Sequence, residues 1–211
     1  MCNRFARVMK VRHLAMVLSK LEPHPCKDVD LEQYSTDGNL ASLLLSEIVS
    51  FGDINSDTLV GDLGAGNGIL GIAALKIGAK RAIFVETDIE ACHTIERNLI
   101  NSGIQDSGEI INEHIVSGTN LTKVDLIICN PPWGRQKEKA DRPFLNMILQ
   151  NASVTHLLHS SKATHIRPFF ESRGWTVEFY YETDFALPAK YTHHKRQRDK
   201  TKVGFWRLSP G

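Results

Sequence analysis

An apolar segment at residues 58–63 leads directly into the glycine-rich sequence Gly64-Ala65-Gly66-Asn67-Gly68, and an apolar helical segment at 69–77 follows it. Glycine tolerates the backbone angles of a sharp turn and lets the main chain approach a ligand closely. A strand, a glycine turn and a helix in this order predict the first unit of an α/β fold. The spacing Gly-x-Gly-x-Gly differs from the Gly-x-Gly-x-x-Gly of dinucleotide sites, which argues against a bound pyrophosphate.

Further strand-like and helix-like segments extend this unit into one domain. The pattern predicts strands at 58–63, 81–85, 109–112, 124–129, 152–158, 175–186 and 203–208, the last two as an antiparallel hairpin. It predicts helices at 39–51, 69–77, 89–99, 143–150 and 161–173. Thr36 is the expected N-terminal cap of the helix at 39–51, and Pro168 is expected to kink or shorten the last helix.

We expect a single domain over 1–211, with an N-terminal helix and linker at 1–30 and a basic hairpin loop at 190–202. The first twenty residues are basic, which is compatible with a transit peptide. The helical spacing of apolar residues favours a structural amphipathic helix instead; these residues are Val8, Val11, Leu14, Leu18 and Leu21. The expected location is the cytoplasm or, in a eukaryote, the nucleus or nucleolus.

The composition argues against several classes of protein. The net charge is +1, so any contact with nucleic acid must come from a local basic patch. The four cysteines form no Cys-x-x-Cys pair, which favours free thiols over a disulfide framework or a zinc site. No apolar run approaches the ~18 residues that a membrane-spanning helix needs.

The sequence Asn130-Pro131-Pro132-Trp133 follows the predicted strand at 124–129. Two prolines stop the strand, because neither donates a backbone hydrogen bond. The amide oxygen of Asn130 and the carbonyl of Pro131 can then accept hydrogen bonds from an exocyclic amine, and Trp133 can stack on a base, worth about 1–3 kcal/mol. The alternative is a simple turn with Trp133 in the core.

Other polar residues follow neighbouring strands. Glu86 ends the second strand about twenty residues after the glycines, where an acid can bind ribose hydroxyls; a solvated acid is the alternative. His114 or Glu113, after the third strand, can contact an adenine amine, although an exposed loop explains them equally well. Since ligands of such folds bind at the carboxyl ends of the strands, we expect these groups to converge on one crevice, with a polar loop at 134–141 over it.

A basic segment lies between the last two predicted strands. Its candidate contacts to a phosphate backbone are Tyr191, His194, Lys195, Arg196 and Arg198. The alternative is an ordinary solvated loop. His193 and His194 have no cysteine or acid partner nearby, so a metal site is not expected there.

The glycine turn with its ribose acid resembles the S-adenosylmethionine site of class I methyltransferases, and Asn-Pro-Pro-aromatic resembles the motif of amino-methyltransferases. From about residue 10 to the C-terminus, the chain resembles the methyltransferase-like protein 5 family, the small-subunit rRNA adenine-N6 methyltransferases of eukaryotes and archaea. The resemblance rests on Leu31-Glu32-Gln33-Tyr34-x-Thr36, Asp62-Leu63-Gly64-Ala65-Gly66, Asn130-Pro131-Pro132-Trp133-Gly134, Arg142-Pro143-Phe144-Leu145 and Leu187-Pro188-x-x-Tyr191-x-His193-His194-Lys195.

This resemblance implies a Rossmann-like, seven-stranded class I methyltransferase sheet, mostly parallel, with a C-terminal antiparallel hairpin and helices on both faces. It implies S-adenosylmethionine as the cofactor and, in eukaryotic members, a small zinc-binding activator protein as a partner. The implied cofactor-binding residues are Gln33, Thr36, Asp62, Gly64, Gly66, Asn67, Ile69, Glu86 and His114. Asn130 and Trp133 would hold the target adenine, with Pro131 and Pro132 shaping the elbow.

Three positions depart from the family pattern, which commonly has Phe at Trp133, Asp at Glu86 and Asp near His114. The sequence therefore predicts an S-adenosylmethionine-dependent adenine-N6 methyltransferase of structured RNA, with small-subunit rRNA as the expected substrate. Two alternatives remain: a glutamine-amide methyltransferase acting on a translation factor, and a non-catalytic RNA-binding assembly factor.

Overall fold

The computed structural model describes residues 11–25, 36–116, 119, 122–134, 138–185 and 201–211. Seven strands form one sheet: β1 (Leu59–Leu63), β2 (Arg81–Glu86), β3 (Gly108–Asn112), β4 (Val124–Cys129), β5 (Ala152–Ser160), β6 (Trp175–Phe185) and β7 (Thr201–Pro210). Six α-helices accompany them in these ranges: α1 (Val11–Leu18), α2 (Gly38–Phe51), α3 (Ile69–Ile77), α4 (Ile89–Asn101), α5 (Arg142–Asn151) and α6 (Ile166–Glu171).

The strand order is β3-β2-β1-β4-β5-β7-β6. The first five strands along the sheet are parallel, and β7 runs antiparallel between β5 and β6. The chain reverses its direction across the sheet between β1 and β4, and such a switch point opens a crevice at the carboxyl ends of the strands. The predicted seven-stranded, mostly parallel sheet with a C-terminal antiparallel hairpin is confirmed.

Alternate residues of each central strand enter two hydrophobic layers. Leu126 and Ile128 of β4 pack in the layer that contains α1 to α4. Ile127 and Cys129 face the layer that contains α5 and α6. A strand buried on both faces reads as a continuous apolar run, which explains why 124–129 could be recognised as a strand before its neighbours were known.

In the described part of the predicted N-terminal helix, Leu14 and Leu18 of α1 are buried in the hydrophobic layer, whereas Val11 is exposed. The N-cap prediction for α2 was wrong by one residue. The carboxylate of Asp37, not Thr36, accepts the N–H of Leu40 at 2.8 Å. This leaves the hydroxyl of Thr36 available for another contact.

One further prediction needs correction. The helix predicted at 161–173 is limited to α6, and Pro168 lies in its first turn, where the missing N–H has no intrahelical partner to lose. The position of the polar loop at 134–141 over the crevice stays a prediction, although its last residue, Asp141, is 4 % exposed. Residues 135–137 of that loop lie outside the described ranges.

Candidate active site

The glycine turn between β1 and α3 uses the backbone freedom that glycine offers. Gly64, Gly66 and Gly68 have φ angles of 67°, 59° and 83°, in the left-handed region that other residues rarely adopt. A Cβ on Gly64 would lie 3.0 Å from the Phe144 ring, so the turn is also packed against α5. Residues with side chains would be strained at these three positions, so the glycines allow the chain to turn sharply here.

The carboxylate of Glu86 binds this turn directly. Its Oε2 accepts the N–H of Gly66 at 2.7 Å, and its Oε1 accepts those of Thr87 and Asp88 at 2.9 and 3.0 Å. Glu86 is only 6 % exposed, so it is not the solvated strand-end acid of the alternative interpretation. A carboxylate offers about four acceptor positions, and these three N–H donors use three of them.

Asp62 of β1 is almost completely buried, with 1 % of its surface exposed. Its Oδ2 accepts the N–H of Gly71 inside α3 at 2.8 Å. Burial raises the pKa of Asp62 to about 8, with the charge of Glu86 adding to the rise and the Gly71 N–H opposing it. Asp62 therefore anchors the first turn of α3 to β1.

A pocket of about 660 Å³ lies beside the glycine turn, between α1 and the start of α2. This volume is in the range of roughly 300–1,000 Å³ that small-molecule and cofactor sites occupy. Thr36, Asn67 and Ile69, three of the predicted cofactor residues, line it. The side chain of Asn67 also donates to the carbonyl of Glu22 at 2.9 Å, so the segment after α1 is tied to the turn.

The Asn130 amide is held at both of its ends. Its Nδ2 donates to the hydroxyl of Thr36 at 3.1 Å, and its Oδ1 accepts the indole N–H of Trp133 at 3.2 Å. Thr36 thus contacts Asn130 while lining the pocket. Pro131 is buried and Pro132 half-buried in the elbow between Asn130 and Trp133.

Trp133 does not present an open face. Its side chain is 7 % exposed and stacks on His159, with ring centroids 5.9 Å apart and ring planes 24° apart. The alternative that placed Trp133 in the core matches this packing. Stacking of a target base on Trp133 stays a prediction, and it requires the indole to rotate out of this arrangement.

A cluster that sequence reasoning missed lies behind Trp133. One carboxylate oxygen of Asp141 accepts a short hydrogen bond from Nε2 of His165, and Nε2 of His159 lies 3.3 Å from the same oxygen. Burial would raise the pKa of Asp141, but its interactions with His159 and His165 outweigh it and hold that pKa below its usual value. The three side chains place their polar atoms within 4.8 Å of one another.

The contact between His159 and Asp141 is weaker than its distance suggests. At 3.3 Å the two groups form an ion pair if the ring is protonated, yet Nε2 of His159 lacks the alignment of a hydrogen bond. A small rotation of the ring would bring Nε2 of His159 into hydrogen-bonding alignment with the Asp141 carboxylate at this separation. Sequence spacing could not have revealed this cluster, since its members lie on a loop, on β5 and before α6.

The remaining predicted residues fall into two groups. His114 is exposed and its Nδ1 lies 3.2 Å from the hydroxyl of Thr87, next to Glu86 along the edge of the crevice. The others lie outside the described residues; these are Gln33, Tyr191, His194, Lys195, Arg196 and Arg198. Cys92 and Cys129 are free thiols, as predicted for the described cysteines.

Comparisons with known proteins agree with the fold and the turn. The family model "Methyltransferase small domain" matches residues 39–160. An uncharacterised protein of Methanocaldococcus jannaschii is 31 % identical over 95 % of this chain and 94 % of its own length. The rRNA N6-adenosine methyltransferase of Danio rerio is 28 % identical over 96 % of this chain and all of its own length.

A solved structure is also similar along almost the whole chain. A proposed RNA methyltransferase of Pyrococcus horikoshii is 35 % identical, with a TM-score of 0.85, and the match covers 95 % of this chain and 98 % of that one. Among the described helices, none has the length and apolar character needed to cross a bilayer. From the matched family model and these full-length relatives, the chain belongs to the methyltransferase small domain family.

Proposed function

We propose that this protein transfers a methyl group from S-adenosylmethionine to the N6 amine of an adenine in structured RNA, with small-subunit rRNA as the substrate. Membership of the methyltransferase family supports the cofactor and the general reaction. The names of the Danio rerio and Pyrococcus horikoshii relatives support RNA as the substrate. On this basis we place the chain with the methyltransferase-like protein 5 proteins.

The observation that carries the proposal is the fixed Asn130 amide beside the pocket. Its Oδ1 accepts a hydrogen bond from the indole N–H of Trp133, and an amide oxygen has two lone pairs with which it can accept. The Asn130 Nδ2 is joined to Thr36, and Thr36 lines the pocket next to the glycine turn. An amine bound at Oδ1 would therefore lie close to a cofactor held in that pocket.

The chemical problem of the reaction explains why such an acceptor is useful. The lone pair of an adenine amine is delocalised into the ring, so the amine is a poor nucleophile. Hydrogen bonds from the amine to Asn130 Oδ1 and to the Pro131 carbonyl draw it towards tetrahedral geometry and free the lone pair. S-adenosylmethionine supplies the activated methyl group. The protein contributes mainly by positioning the amine and by matching its changed charge.

The residues of the glycine turn suit the cofactor. Glu86 keeps an acceptor position for a ribose hydroxyl after binding the N–H of Gly66. Asn67 and Ile69 bring one polar and one apolar contact to the pocket wall. The Gly-x-Gly-x-Gly spacing lets the backbone of the turn approach a bound cofactor closely. It is shorter than the Gly-x-Gly-x-x-Gly spacing of dinucleotide sites, which leaves room for a pyrophosphate.

The test is transfer of labelled methyl from S-adenosylmethionine to small ribosomal subunits, total tRNA and a protein extract, each assayed separately and followed by nucleoside analysis. We expect N6-methyladenosine in the small subunit and a loss of at least a hundredfold in Asn130→Ala. Asp106→Asn, an exposed change on a surface turn, is the control and should keep the wild-type rate.

Other outcomes would change the proposal in defined ways. Label found only in protein would favour the glutamine-amide methyltransferase. Cofactor binding without transfer to any substrate would favour the RNA-binding assembly factor, unless a small zinc-binding activator protein restores transfer. Full transfer by Asn130→Ala would contradict the mechanism itself.

A further inference from the structure

The Asn130 amide needs one particular orientation, and the indole of Trp133 sets it. An indole N–H only donates, so the amide atom that faces it must be the oxygen. The hydroxyl of Thr36 can donate or accept, and it would tolerate either orientation of the amide. A flipped amide would bring two donors together at Trp133 and would present an amino group, not an acceptor, to the target amine.

The indole is itself held by His159. The two rings are stacked with centroids 5.9 Å apart, inside the range of about 4.5–7 Å that is typical of interacting aromatic pairs. Both side chains are buried, so solvent does not compete for this contact. Any change that tilts the imidazole moves the surface on which the indole rests.

The imidazole is oriented by a hydrogen bond at one nitrogen and lies close to a carboxylate at the other. Nδ1 of His159 accepts the backbone N–H of Ser160 at 2.9 Å, so the neutral ring carries its proton on Nε2. Nε2 lies 3.3 Å from the Asp141 carboxylate, without the alignment of a hydrogen bond. Asp141 is fixed in turn, because its backbone carbonyl accepts the N–H of Leu145 at 3.1 Å at the start of α5.

From this chain of contacts we propose that Asp141 and His159 are positioning residues of methyl transfer, which act through Trp133 to hold the acceptor oxygen of Asn130 towards the substrate amine. The inference rests on the proposed function. It gives Trp133 a role in its packed position, as a donor to Asn130. It also accounts for an acid and a histidine buried directly behind the elbow, where polar groups are costly unless they are paired.

The same three polar side chains could in principle hold a metal ion, since their ligand atoms lie within 4.8 Å of one another. The hydrogen bond from Ser160 argues against this, because it leaves the proton of neutral His159 on Nε2, the nitrogen that faces the cluster. A metal would need that nitrogen without its proton. We therefore assign the cluster to hydrogen bonding, and the test includes chelation.

The first experiment is a double-mutant cycle on methyl transfer to small ribosomal subunits. Trp133→Phe removes the indole N–H, and Asp141→Asn removes the charge that orients His159. We expect each change to lower kcat about tenfold, with the KM for S-adenosylmethionine nearly unchanged. Asp141→Asn should also lower the melting temperature, because it removes the charge of a buried carboxylate that faces two histidines, so kcat is measured at a temperature at which every variant is folded. We expect the double variant to be no slower than Trp133→Phe alone, because both changes break the same chain.

Two matched controls separate positioning from general damage. Trp175→Phe makes the same substitution at the start of β6, where Trp175 pairs with Pro210 at the far end of the sheet. Asp106→Asn repeats the loss of one carboxylate at an exposed site. Both should keep kcat. Multiplied losses in the double variant, of about a hundredfold, would overturn the proposal, as would a wild-type kcat in Trp133→Phe.

A second readout does not depend on methyl transfer. The indole N–H resonance of Trp133 is the one that disappears from the nitrogen–proton NMR spectrum of Trp133→Phe. It should shift in Asn130→Ala and in Asp141→Asn, and stay in place in Asp106→Asn. If the wild type transfers no methyl while these shifts occur, the proposed function fails and the positioning network stands; an unmoved resonance in Asp141→Asn overturns the network.

Chelation decides between hydrogen bonding and a metal. The rate and the indole resonance should be the same before and after treatment of the protein with a strong chelator. A rate that falls on chelation and returns with added zinc would replace the hydrogen-bonded cluster by a metal site and overturn this proposal.

Discussion

The most direct test of how this fold is held together is the substitution Asp53→Asn. Oδ2 of Asp53 accepts hydrogen bonds from Nε of Arg207 at 2.7 Å and from Nε2 of His156 at 2.8 Å. Oδ1 accepts a third from Nη2 of Arg207 at 3.0 Å. Asp53 follows α2, whereas His156 and Arg207 belong to β5 and β7, so one carboxylate joins a helix end to two strands.

The expected cost follows from the burial of this network. The Asp53 and His156 side chains are almost completely buried and Arg207 is one-fifth exposed. Removing one partner of a buried ion pair costs about 3–5 kcal/mol, because the other charge is left without compensation. Since Arg207 keeps some contact with water and a second partner in Glu178, we expect a loss of about 3 kcal/mol in the free energy of unfolding.

The effect should depend on pH in a defined direction. Burial would raise the pKa of Asp53, but the hydrogen bonds from Arg207 and His156 outweigh it and hold that pKa well below the usual 3.8 of an aspartate. The stabilisation by ionised Asp53 is therefore complete above about pH 4 and is lost as the pH falls below that value. Burial lowers the pKa of His156, so protonation of the unfolded chain below about pH 6.5 reduces stability in the same direction.

The assay is urea unfolding followed by circular dichroism at pH 7 and at lower pH values. Glu171→Gln is the matched control, because Glu171 pairs with Arg167 at 2.8 Å on the surface of α6 with both side chains about half-exposed. That change should cost no more than about 0.5 kcal/mol. If Asp53→Asn cost less than 1 kcal/mol at pH 7, or if its cost did not shrink at low pH, the reasoning would be refuted.

Two further predictions concern α3. Gly71→Ala should destabilise the protein by about 1–3 kcal/mol although alanine favours helices, because its Cβ would lie 2.3 Å from the buried ring of Phe84. Adding Phe84→Leu to this variant should restore part of the lost melting temperature, measured by thermal unfolding. Asp62→Asn should remove a pH dependence: burial raises the pKa of Asp62 to about 8 from 3.8, so wild-type stability falls as the pH rises from about 4 to 8. An Asp62→Asn protein whose unfolding free energy follows the wild-type pH curve would contradict this assignment.

The sequence predicted most elements of the sheet because each leaves a local signal. The segment at 124–129 is apolar at nearly every position, and the glycine turn at 64–68 marks the start of α3. Asp88 caps α4 as its position indicates, with its side chain accepting the N–H of Glu90 at 2.9 Å. These features depend on neighbours within a few residues, which a sequence shows directly.

The parts that could not be predicted depend on contacts between distant segments. Thr36 and Asp37 are both good N-cap residues, and only the packing of α2 decides that Asp37 takes that place. Asp141 resembles a loop residue until β5 and α6 bring His159 and His165 to it. The exposure of Trp133 was equally undetermined, since it depends on what lies behind the elbow.

The position of Thr36 has a consequence for the order in which ligands act. The Thr36 hydroxyl accepts a hydrogen bond from the amide of Asn130, and Thr36 also forms part of the wall of the pocket beside the glycine turn. A molecule that displaces Thr36 when it fills the pocket must also change the free energy of the Asn130 amide, the group that receives the target amine in the proposed function. Linkage is reciprocal, so a ligand bound at Asn130 would alter the affinity of the pocket by the same factor. Through one hydroxyl just before α2, the proposed function therefore couples loading of the pocket to recognition of the amine.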